Sequence, residues 1–195
     1  MELIKRLSAA VALASLAACA QNSTPPATPA VPVAAKSNLL ADLDKDVADV
    51  QKKMVDLAQA MPENTMDYRP MPGVRSVREV FLHISGENYL IPSFFGGAIP
   101  ASTGITAKDD KTVTTYEGRK ISRDSTVAQL EQSFKNLRAA MAADSATALD
   151  GKISFFGGET TRERAWLGTV THLHEHLGQA IAYARSNKVV PPWSK

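Results

Sequence analysis

Cysteine is almost absent from this chain: among 195 residues there is one, Cys19. It sits at the end of a leader-like segment, so no disulfide can stabilise the remainder and no later thiol can serve as nucleophile or metal ligand. Neither sign of charge is in excess, with 22 Lys and Arg against 20 Asp and Glu, and no basic stripe is interleaved with aromatic residues. The electrostatic footprint of a nucleic-acid binder is missing, and neither DNA nor RNA is an expected partner. No stretch is long and apolar enough to be expected to span a bilayer. Histidine is scarce as well, at four residues, yet His172, His174 and His176 fall within five positions. Histidine and oxygen must therefore supply the chemistry.

Lys5 and Arg6 precede a short, mainly apolar run from Leu7 to Leu16, the pattern of an export signal. Its end, Leu16-Ala17-Ala18-Cys19, resembles the bacterial lipobox, in which the cysteine is acylated and becomes the first mature residue. Ordinary cleavage after Ala18-Cys19-Ala20 is the competing reading and would discard the thiol. The expected organisation is a lipoprotein signal over residues 1–19, a Pro- and Ala-rich tether over 20–37 and one folded domain over 38–195. The expected address is the periplasmic side of the cell envelope, at the outer membrane, reached through the lipid on Cys19 alone.

Apolar residues at Leu40, Leu43, Val47, Val50, Met54, Leu57 and Met61 alternate by three and four, which predicts a first helix from a cap at Ser37 or Asn38 to about Ala60. Ser76 and Glu79 form a capping box for a second helix that should end before Pro92. Residues 96–124 read as a long connection, with only Thr112 to Tyr116 suggesting a short strand. A third helix is expected over Ser125 to Ala143 and a fourth over Thr161 to Ser186, the latter behind a box of Thr160 and Glu163. A link as long as 96–124 can return the chain to the far end of a bundle and start the third helix parallel to the second. The fold expected is all-α, a four-helix bundle.

On the fourth helix, His172 and His176 are one turn apart and share a face, whereas His174 points elsewhere. His83 lies mid-way along the second helix, so packing the two helices together would bring three imidazoles to one divalent ion. Three neutral imidazoles with positions left open resemble catalytic rather than structural sites, and zinc or nickel is the expected metal. Glu87, one turn beyond His83, is a candidate general base or acceptor for an imidazole N–H; the competing reading is a solvated glutamate. Gln179 reads more simply as a helix-surface residue than as a support for His176, and Arg185 as a complement to the helix dipole. Gly178 stands four residues after His174, so the His-Glu-x-x-His pattern of zinc proteases is not present.

Two segments resemble the DinB-like family: Tyr68-Arg69-Pro70-Met71-Pro72-Gly73-Val74-Arg75-Ser76-Val77 followed by His83, and His172-Leu173-His174-Glu175-His176-Leu177-Gly178-Gln179 with Tyr183, Arg185 and Pro191-Pro192 behind it. The resemblance implies an up-down-down-up bundle in which His83, His172 and His176 hold a divalent metal. Leu177 departs from the family pattern, which commonly has arginine after the final ligand. The resemblance also implies metal-dependent activity of the thiol-transferase or thiol-dependent isomerase kind, although small thiols are expected to be sparse outside the inner membrane. The expected function is a metal-dependent hydrolase or transferase acting on a small molecule, the alternative being a non-catalytic metal- or small-ligand-binding envelope lipoprotein. A homodimer is left open.

Overall fold

The computed structural model describes residues 33–194, so the expected leader, Cys19 and the tether as far as Pro32 lie outside the described residues. Helix α1 spans Val33–Ala60 and begins inside the expected tether, before the cap expected at Ser37 or Asn38. No proline follows Pro32 in this stretch, and Ala34, Ala35 and Lys36 are good helix formers. Helix α2 spans Val77–Phe94 and its capping box is formed: Glu79 N–H donates to Ser76 Oγ at 3.2 Å and Ser76 N–H donates to Glu79 Oε2 at 2.9 Å.

Contrary to the sequence expectation, α2 runs through Pro92. A proline there has no N–H for the carbonyl of Asn88, one turn back, which should end the helix. That carbonyl is satisfied from another helix, by Asn136 Nδ2 at 3.1 Å. The predicted strand at Thr112–Tyr116 is also overturned: Lys111–Glu117 forms a short helix, α3. Val113 and Tyr116, three residues apart, are its buried positions and cover Gly86 of α2, where a Cβ would meet both side chains at 3.4 Å. Threonine and valine are good strand residues, but an apolar pocket over a glycine decides the conformation.

Helix α4 spans Arg123–Ala143, capped by Ser122, and α5 spans Arg162–Ser186. The cap of α5 is Thr161, whose hydroxyl accepts from Arg164 N–H at 3.2 Å, and not the Thr160–Glu163 pair. Thr160 belongs instead to a hairpin, with β1 (Lys152–Phe155) antiparallel to β2 (Gly158–Thr161). Thr161 closes the strand and starts the helix.

Side-chain contacts fix the helix directions. Arg138, late in α4, grips Asp44, early in α1, with both N···O distances 2.8 Å, so these two helices are antiparallel. Asn88 donates to Ser133 at 3.2 Å while Pro92, later in α2, lines one cavity with Ala140, later in α4, so α2 and α4 run parallel. Phe95 after α2 stacks on Trp166 at the start of α5, centroids 3.9 Å apart, while His83 reaches His176 further along, so that pair is antiparallel. The bundle is up-down-down-up, as expected, with the 96–124 link returning the chain.

The core contains the predicted stripes, among them Val47, Met54 and Leu57 of α1, Leu130, Phe134 and Leu137 of α4, and Trp166 and Leu173 of α5. Helix α2 is buried on nearly every side, because Ile105 of the link and Val113 and Tyr116 of α3 form a second apolar layer with its own Leu82, Tyr89 and Leu90. A helix with apolar residues on opposite faces must be covered on both. Among the described residues no helix is long and apolar enough to cross a membrane.

Candidate metal centre

The antiparallel crossing of α2 and α5 brings His83 against His172 and His176. Ring centroids are 5.3 Å apart for His83 and His172, 4.6 Å for His83 and His176, and 4.5 Å for His172 and His176. One nitrogen from each ring lies within 4.8 Å of the other two. His83 is buried, and the other two are partly buried at the seam beside the core stripe of α5. His174 is exposed and takes no part.

The rings are held in position through their far nitrogens. His83 Nδ1 lies 2.6 Å from Glu117 Oε1, and since the carboxylate only accepts, the ring donates and keeps Nε2 free. Glu117 is held in turn by Arg75, whose Nε donates to Oε2 at 2.9 Å. Burial would raise the Glu117 carboxyl, but hydrogen bonds from His83 and Arg75, with their charges, hold it below the usual carboxylate range. His176 Nδ1 donates to Gln179 Oε1 at 2.7 Å, and Gln179 Nε2 donates to Tyr183 Oη at 3.2 Å. Gln179 is therefore a support for His176, contrary to the surface reading. Such partners fix the ring orientation and tautomer of an imidazole ligand.

His172 supplies the test of fit. Its Nε2 is buried and has no hydrogen-bond partner, a costly state for a polar atom. Burial, then the neighbouring His176, His83 and Arg75 charges, push its pKa down to about 4, and burial likewise lowers that of His176. Both are neutral at ordinary pH, the form in which imidazole binds a metal. The donor set, the neutral His172 and His176 and the orphaned atom all fit a divalent ion.

Glu117 and Arg75 escaped sequence reasoning. Glu117 is the last residue of α3, one position beyond the segment read as a strand, and meets His83 across 34 positions of chain. Arg75 immediately precedes the α2 cap; the available signal was the long crossover itself, which must lie over some face of the bundle.

Glu87 is buried beside the three histidines without joining their group. Burial raises its carboxyl above the usual range, offset in part by His83. Together with Ile91, Phe155, Phe156, Thr169 and His172 it lines a cavity of about 340 Å³. The solvated reading is thus set aside.

The sequence model of the DinB superfamily matches residues 46–180. The chain belongs to the DinB superfamily. The DinB match takes in α2 and most of α5, and with them His83, His172 and His176. Two solved DinB-like proteins share the fold. One, from Bacillus cereus, has 15% identity and a TM-score of 0.58 over 73% of this chain and 89% of that one. The other, from Bacillus subtilis, has 14% identity and a TM-score of 0.57 over 76% of this chain and 94% of that one. Among curated proteins none matches this sequence.

Proposed function

We propose that this DinB-superfamily chain is an exported, lipid-anchored protein that holds one divalent ion, zinc or nickel, on His83, His172 and His176 and uses it to hydrolyse a small molecule. The observation that carries the reading is the buried, unpartnered Nε2 of His172, which belongs to a three-imidazole cluster and itself lines a cavity. An ion bound by these residues would supply a Lewis acid to polarise a carbonyl and activate water. Glu117 and Gln179 hold the His83 and His176 rings in the metal-binding tautomer. In the cavity wall, the Thr169 hydroxyl is occupied by the Ala165 carbonyl at 2.9 Å, which leaves the Glu87 carboxylate to take a proton from the attacking water and return it to the leaving group. Hydrolysis is favoured over thiol transfer because the expected address is poor in small thiols.

Metal-loaded protein offered ester, amide and thiol-conjugation substrates should turn over at least one class and stop on chelation. Glu87→Gln should reduce kcat by about 10²- to 10⁴-fold with the metal retained. No turnover of any class by fully loaded protein would instead assign the chain as a carrier of metal or ligand.

The anchor has its own test. Cys19→Ala should leave the protein soluble or unprocessed, read by fractionation and intact mass, since only the lipid on Cys19 is proposed to hold it. A correctly cleaved, cysteine-free form that stays with the membrane rejects the lipid anchor.

A further inference from the structure

The cavity beside His172 combines two chemistries. Glu87 contributes a buried carboxylate with no hydrogen bond among the described residues, while Ile91, Phe155 and Phe156 contribute apolar wall. Phe155 ends β1 and Phe156 begins the two-residue turn to β2. That turn has positive φ at both central positions, 47° at Phe156 and 81° at Gly157. Asn, Asp or Gly suits the first position, and a bulky side chain in the left-handed region is disfavoured. Burial does not account for the exception, since Phe156 remains 55% exposed. Its ring instead joins an aromatic cluster with Phe94 and Phe155, at centroid distances of 4.9 and 4.7 Å. A strained residue held by its neighbours at the edge of a cavity is a functional signature.

We infer that the hairpin tip is a recognition wall for an aryl or branched acyl group, and that the substrate carries this group next to an N–H or O–H that donates to Glu87. This inference rests on the metal reading above, because the oxygen or sulfur head of the same molecule would occupy the ion held by His172. A second anion beside Glu87 would be repelled, so the substrate is neutral or cationic along this stretch. The cavity volume of about 340 Å³ lies in the range of small-ligand sites.

Calorimetry on the full-length, zinc-loaded protein with acetohydroxamate and benzohydroxamate separates the two ideas, since these probes share a chelating head and an N–H and differ by the ring. Benzohydroxamate should bind roughly tenfold to a hundredfold more tightly. At Gly168, in the cavity wall, a Cβ would meet nothing nearer than Arg164 Nη1 at 3.9 Å, so Gly168→Leu can fill the space. It should abolish the preference with the metal content unchanged. Phe156→Asn should weaken the preference while the melting temperature holds or rises, because asparagine relaxes the turn; with a merely structural Phe156 the preference would stay unchanged and the melting temperature would fall. Equal affinities for the two probes on loaded protein overturn the inference and leave the metal site standing. If the purified chain neither holds nor takes up a divalent ion, the metal reading fails, and benzamide, which has the ring and the N–H without the chelating head, tests the cavity by ligand-observed NMR: binding lost in Gly168→Leu supports the recognition wall, and no binding overturns it.

Discussion

Elemental analysis of the purified full-length protein should find about one divalent ion per chain, and that ion should be lost from His83→Ala, His172→Ala and His176→Ala but kept by His174→Ala. Structural zinc sites with four ligands release about 10–16 kcal/mol, roughly 2.5–4 kcal/mol per ligand, so deleting one imidazole of three should weaken binding by about two to three orders of magnitude. The contrast with His174 is sharp because it is two residues from both ligands in sequence yet exposed and outside the cluster. Glu117→Ala touches no ligating atom but frees the His83 ring, and should cost about 10–100-fold in affinity. Glu117→Gln, which can still accept from Nδ1, should recover part of it. Circular dichroism must show a retained fold in each variant. Equal losses for all four histidines, or full occupancy in Glu117→Ala, would reject this assignment of ligands and support.

How much of this was legible depends on the range of the physics involved. The stripes of α1, α4 and α5 repeat an apolar residue every three or four positions over about four turns or more, and a face that long is written locally. The histidine cluster was legible for the same reason: His172 and His176 share a face by helix geometry, and His83 needed only one helix contact. Helix α3 was not. Seven residues give two turns at most, and Thr112, Val113, Thr114 and Thr115 favour a strand until Gly86 and the second apolar layer are present. The hairpin was hidden because its turn is Phe156-Gly157 rather than Asn-Gly, and its strands have four residues each. Pro92 misled because the group that rescues Asn88 O lies 48 residues on. Glu117, which matters most to the site, inherits the error made over α3.

The second large effect lies far from the histidines. Asp144, just past α4, is buried, with its side chain 3% exposed, and receives Arg162 Nη2 at 2.7 Å and Trp166 Nε1 at 2.6 Å. Arg162 also donates to Phe95 O at 3.3 Å and lies over the Phe95 ring, which stacks on Trp166. One carboxylate thus joins the end of α4, the end of α2 and the start of α5. Removing one partner of a buried pair leaves the other charge uncompensated, so Asp144→Ala should cost about 3–5 kcal/mol. For a chain of this size that is a fall in Tm of roughly 6–20 °C. Replacing both partners, as in Asp144→Ala with Arg162→Met, should recover much of the loss, because no lone charge remains buried. Burial alone would raise the Asp144 carboxyl, but the bonds from Arg162, Trp166 and the Ser145 N–H hold it below its ordinary value. Its folded pKa being depressed, this stabilisation is fully present above the unfolded pKa of about 3.9 and is lost as pH falls through the folded value. The gap in stability between the native protein and Asp144→Ala, measured by urea unfolding, should therefore be constant near neutral pH and narrow only in acid below the unfolded pKa. A gap that stays constant to the lowest pH at which the protein folds, or a double variant no more stable than Asp144→Ala, would show that the Asp144 carboxylate is not what joins these three helix ends.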